Sequence, residues 1–241
     1  MKHISDFNAF KNISLSEKRS YYINDMSDNL DEIVYGNAPI EFKEIIENEN
    51  DPIKQWFQKE GLIKKIIEEA PLNSSETTKE DLSILIEKTA KATGDDLTFA
   101  RYADDQRNLP NLFIDLLQSK GYNETMEEYF MVDNQTDVIL NFLKNVINRP
   151  RPYQLAKELN LPIFPIIRTD ANSAAYPSGH TLDFLVTLYH FGKMKPEAAE
   201  EIDEFYHEIK RVRELSGVHY PSDRKISEYL FKQLVKNKLI K

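Results

Sequence analysis

The chain has 241 residues, 41% of them hydrophobic, enough for one sizeable core or a core with a helical extension. It has no cysteine, which excludes disulfides, thiolate metal sites and cysteine nucleophiles. A formal net charge of -9 sets up a field that repels nucleic acid and anionic membrane surfaces, so a small anionic ligand would need a local cationic pocket.

Met1-Lys2-His3-Ile4-Ser5-Asp6-Phe7 lacks an apolar run and a small-residue cleavage site. No apolar stretch approaches the roughly 18 residues of a membrane helix, so a cytoplasmic chain without a membrane span is expected. Asp51-Pro52 predicts a helical segment running to Ala70, with an N-cap followed by proline at the first helical position. Pro71-Leu72-Asn73-Ser74-Ser75 is the best linker candidate, and Thr77 with Glu80 reads as a capping box before Leu82-Ile84-Leu85-Ile86. Further helices are expected near 111–120, 124–132, 135–148, 179–191, 196–216 and 222–238. Gly94, Gly121, Gly192 and Gly217 each follow a helical-looking stretch where a left-handed cap residue is wanted. Period-2 strands are missing, and Leu161 to Tyr176, with Pro162, Pro165 and Asn172, reads as an irregular loop. The expectation is an all-α protein forming a single domain over 1–241, with 1–70 as a helical extension and a motif-bearing core over 120–241.

Three segments carry chemistry. Lys144 and Arg151 would share a helix face if the helix were continuous, but Pro150 and Pro152 end it near Ile147 and leave Arg149 to Pro152 stiff and extended. Taken alone, such cations are as well explained by capping a helix carboxyl terminus and facing solvent. Tyr176-Pro177-Ser178-Gly179-His180-Thr181 starts a helix whose free N–H groups at Ser178, Gly179 and His180 suit a phosphate. The simpler account makes Ser178 an N-cap and His180 a first-turn residue. In Arg213-Glu214-Leu215-Ser216-Gly217-Val218-His219-Tyr220-Pro221-Ser222-Asp223, the helix breaks at Gly217 and His219 stands four residues before Asp223. A carboxylate bonded to one ring nitrogen would fix the tautomer and free the other nitrogen to attack phosphorus; otherwise Asp223 merely caps the next helix. His3, His190 and His207 lack such a setting and read as structural or solvated. Tyr153 and Tyr176 flank the motifs, and packing is their simpler role.

Together these segments resemble the signature of the type 2 phosphatidic acid phosphatase and vanadium haloperoxidase superfamily, which includes the bacterial class A acid phosphatases. Its pattern is Lys, six residues, Arg-Pro; then Pro-Ser-Gly-His; then Ser-Arg, five residues, His, three residues, Asp. Lys144 with Arg151-Pro152, residues 177 to 180, and Arg213, His219 and Asp223 match at full spacing, over 144–223. Val212 departs, standing where the family has serine, which takes one hydroxyl away from the anion.

The resemblance implies an all-helical bundle of the acid phosphatase and haloperoxidase type, in a soluble form. It implies a phosphatase acting on a phosphomonoester or diphosphate through a phosphohistidine. His219 would be the nucleophile, Asp223 its orienting partner and His180 the general acid. Lys144, Arg151, Ser178, Gly179 and Arg213 would bind the phosphoryl oxygens. No metal and no cofactor are implied, although vanadate or phosphate could occupy the site. The partner is a small phosphorylated substrate, with assembly into a homo-oligomer left open. A vanadate-dependent haloperoxidase, or a non-catalytic anion-binding or scaffold protein that retains the pocket, are the alternatives.

Overall fold

Asp51 begins a helix as the sequence predicts: its carboxylate accepts from the Lys54 N–H at 2.7 Å, and Pro52 fills a position where a missing N–H costs nothing. In this computed structural model, which describes residues 28–36, 50–104, 108–123, 135–165 and 173–240, the regular structure is all helical, with no strand among the described residues. The segment expected to run to Ala70 is two helices, α1 (Pro52–Lys59) and α2 (Leu62–Glu68). Gly61 divides them by taking a left-handed φ of 69°, which a side chain would resist.

The linker candidate is instead a packed turn. Asn73 is buried and donates to the carbonyls of Leu30 and Ile33 at 2.7 and 2.8 Å, while Ser74 donates to Asp31. Ser75, not Thr77, caps α3 (Glu76–Lys91), accepting from the Thr78 N–H at 3.3 Å. Then come α4 (Gly94–Asp104), which Gly94 opens and does not cap, and α5 (Asn108–Ser119). The helix expected at 124–132 and the middle of the 161–176 loop lie outside the described residues. The helix α6 (Asp137–Ile147) ends where predicted, and α7 (Pro152–Glu158) is a short helix that was not expected, started by Pro152. Helix α8 (Gly179–Met194) contains Gly192 within it, and a 3-10 turn at Pro196–Ala198 leads into α9 (Ala199–Leu215) and α10 (Pro221–Lys236).

The apolar faces meet in four clusters. Phe57 and Ile66 of α1 and α2 pack with Leu143 of α6, Leu182 of α8, and Leu230 and Leu234 of α10, so the first helices share a core with the motif-bearing ones. Leu82 and Leu85 of α3 pack with Leu155 of α7 and with Tyr220. Phe113, Phe184, Phe191 and Phe205 join α5, α8 and α9, with Phe113 edge-on to Phe191 at 5.2 Å. Ala100 and Ala103 of α4 receive Val212 and Leu215 of α9. Each large side chain so buried contributes about 1.5–3 kcal/mol. The result is to gather the end of α6, the start of α8, the end of α9 and the start of α10 in one place. No helix among the described residues is long and apolar enough to cross a membrane.

Candidate functional site

Gly217 ends α9 with φ 69°, and a Cβ there would lie 3.0 Å from the Phe164 carbonyl oxygen, so both conformation and space call for glycine. This turn, closed by Pro221 at the start of α10, sets His219 beside Asp223. Asp223 does both jobs considered for it. Its Oδ2 accepts the Tyr220 N–H at 2.9 Å, capping α10, and lies 3.2 Å from His219 Nδ1.

The tautomer follows from the other side of the ring. Arg151 Nη1, a donor only, lies 2.9 Å from His219 Nε2, so Nε2 accepts, and Nδ1 carries the proton and donates to Asp223. Burial pushes the His219 ring well below its ordinary pKa, and the charges of Arg151, Arg213, Lys144 and His180 push it the same way. The ring is therefore neutral, with its Nε2 lone pair turned to Arg151. Burial also raises Asp223, against the opposing pull of Arg149.

Arg151 is held as a strut, though by carbonyls as much as by prolines. Its Nε donates to Ser173 O and its Nη1 to Val218 O, both at 2.9 Å. Lys144 Nζ donates to Ala174 O at 2.5 Å, and burial, then Arg151, lower its pKa far below that of a free lysine. Neither cation faces solvent: they are 4% and 3% exposed, which removes the capping account offered for them on sequence.

At the start of α8, Ser178 Oγ accepts from Thr181 N and Oγ1, at 3.4 and 2.9 Å, as an N-cap does. The Ser178 N–H, expected to be free, donates to the Asp223 carbonyl at 3.2 Å. The Ser178 hydroxyl hydrogen remains available to a ligand. A Cβ on Gly179 would meet Leu140 Cδ2 at 3.2 Å and Lys144 Cε at 3.7 Å, so glycine here lets the lysine stem pass. His180 is half-buried, its Nε2 has no hydrogen-bond partner among the described residues, and burial, then Arg151 and Lys144, lower its pKa to about 4. Arg213 is buried on α9, and burial lowers its pKa. Val212 is fully buried against α4, so its side chain packs away from the pocket.

The seven other residues read from the sequence thus lie around the His219 ring or the helix start beside it. Sequence reasoning missed a layer behind them. Arg149 Nη1 donates to Asp223 Oδ1 and Ser222 Oγ, and Nη2 to Thr78 Oγ1, each at 2.8 Å, while Asp81 lies 3.8 Å from Nη2. The guanidinium stacks on Tyr220, 3.8 Å from the ring centroid. The spacing Arg149-Pro150-Arg151 puts two arginines on one extended segment, and that was the available signal. Tyr176 packs in the core, and His207 is exposed beside Asp203. Among the described residues no three His, Asp or Glu side chains converge as a metal site requires. No family model matches the chain, and no curated protein matches it.

Proposed function

We propose that the chain is a metal-independent phosphatase, built on the helical bundle of the acid phosphatase and vanadium haloperoxidase type, that hydrolyses phosphomonoesters or diphosphates through phosphohistidine at His219. The observation that carries this is a neutral imidazole, proton fixed on Nδ1 by Asp223, whose Nε2 sits among Lys144, Arg151, Arg213 and His180. Phosphoryl transfer needs little beyond positioning and neutralisation of spreading charge, and such a pocket provides both.

Arg151 covers the Nε2 lone pair. Phosphoryl oxygens compete for that guanidinium, and for Lys144, Arg213, the Ser178 hydroxyl and the Gly179 amide, which uncovers Nε2 opposite phosphorus. Nε2 then bonds to phosphorus as the bond to the leaving oxygen breaks, and His180 gives that oxygen its proton. In the second half, His180 takes a proton from water as the water oxygen bonds to phosphorus and the P–N bond breaks. Phosphate departs and both rings return to their starting states.

The test is release of phosphate from an aryl phosphate, with His219→Ala expected to reduce turnover to background. Labelled phosphate trapped on the wild-type protein should survive alkali and be lost in acid, as phosphohistidine is; label on a serine or carboxylate would sink the assignment. Vanadate should inhibit competitively, as a trigonal-bipyramidal mimic bonded to Nε2, and chelation should leave the rate unchanged. Peroxide-dependent bromination with vanadate, without phosphate release, would instead favour the haloperoxidase reading.

A further inference from the structure

We infer that Asp81, on α3 and outside every motif of the site, is a positioning residue that tunes how strongly Asp223 accepts the His219 Nδ1–H; its kinetic consequences rest on the phosphatase reading. Asp81 is 2% exposed, and its Oδ2 accepts from the Ser222 N–H at 3.2 Å and, through a short hydrogen bond, from Ser222 Oγ. Ser222 Oγ in turn accepts from Arg149 Nη1, the same nitrogen that donates to Asp223 Oδ1. One buried guanidinium therefore stands between two buried carboxylates, with a hydroxyl relaying the second contact. Arg149, Ser222, Thr78 and Tyr220 enclose the pair, and Arg151, Lys144 and His219 face Asp223 from the pocket side.

The Arg149 charge, the nearest to both, is divided between them, so Asp223 receives less of it than it would alone. The share that Asp81 draws keeps Asp223 electron-rich, hence a strong acceptor towards the ring and Nε2 a better nucleophile. When Asp81 loses its charge, Arg149 serves Asp223 alone and the acceptor weakens. Attack on phosphorus then slows, while the P–N bond of the phosphohistidine becomes easier to break. The balance between forming and emptying the intermediate thus depends on a residue that touches neither substrate nor histidine.

Asp81→Asn preserves shape and removes charge. In the full-length protein with nitrogen-15 histidine, the His219 Nδ1–H resonance should move upfield and exchange faster, and kcat/KM should fall by roughly 2–30-fold, the range over which residues without ligand contact alter a coupling. The phosphoenzyme trapped in the steady state should fall as well. Burial raises the Asp81 pKa and the Ser222 hydroxyl opposes that rise, so Ser222→Ala, which removes the hydroxyl and frees Arg149 Nη1 for Asp223, should shift the resonance the same way; it carries the test if Asp81→Asn does not fold. A resonance unmoved from the wild-type position, with only a lower melting temperature, overturns the inference and makes Asp81 structural. Movement of the resonance in a protein with no phosphate turnover would overturn the phosphatase reading and leave the coupling standing.

Discussion

His180 is held close to two buried cations, Arg151 and Lys144. A general acid must hold a proton at the working pH, yet burial and the charges of Arg151 and Lys144 take this ring down to about 4. A bound dianion answers two of those three causes, since its charge offsets both cations and favours the imidazolium directly. The pKa must then rise on binding. Between about 4 and the raised value, the complex holds a proton that the free protein lacks, so oxyanion binding takes up a proton and weakens as pH climbs through the bound-state pKa. Calorimetry with sulfate, which stays ionised throughout, in buffers of differing ionisation enthalpy should show that uptake, and His180→Ala should abolish it. The same substitution should slow an alkyl phosphate by about 10²–10⁴-fold and nitrophenyl phosphate far less, because the latter's leaving group hardly needs the proton. Equal losses on both substrates would leave His180 with no role beyond packing or holding phosphate.

The segments between helices place the chemistry more than the helices do. Gly217 is the clearest case: with φ 69° and the Phe164 carbonyl at 3.0 Å from a would-be Cβ, Gly217→Ala should cost about 1–3 kcal/mol in urea unfolding. The loss should come with a larger fall in turnover than in substrate affinity, because His219 lies two residues further along the turn while Lys144 is carried by α6 and bonded to Ala174 O. Unchanged stability would mean that the loop under Gly217 simply yields. This turn was legible in the sequence because glycine, proline and a His-to-Asp interval of four make a local pattern. So were the ends of α6 and the start of α8, fixed by prolines and by Ser178. What stayed hidden was set by distance along the chain. Ser222 and Asp81 are 141 residues apart, and no local pattern marks a carboxylate on α3 as the neighbour of a serine on α10. Arg149 was visible but indistinguishable from an exposed arginine until Thr78, Tyr220 and Asp223 closed around it. Gly61 escaped notice because Asp51-Pro52 marks where a helix starts and not where it ends, and one glycine inside a helical stretch does not by itself mark a break.

Across the whole molecule, the charge outside opposes the charge within. The chain carries -9 overall, with Glu200, Asp203 and Glu204 exposed along the start of α9 and Glu197 in the turn before it, while Lys144, Arg151 and Arg213 are buried at its other end. A dianionic substrate therefore approaches against the long-range field and is held by a short-range one. Salt separates the two, because the Debye length is about 10 Å at 0.1 M and exposed charges are screened long before buried ones. Raising sodium chloride from a few millimolar to about 0.1 M should increase kcat/KM by roughly two- to tenfold, a modest part of the range electrostatic steering spans. The kcat value should stay level, since chemistry proceeds inside the pocket where screening is weak. Neutralising α9 by Glu200→Gln with Glu204→Gln should raise kcat/KM at low salt and flatten its salt dependence, without altering the pH profile that His180 and His219 set. A kcat/KM that falls from the lowest salt onward would mean that the three cations project their field to the surface and govern the encounter despite the net charge.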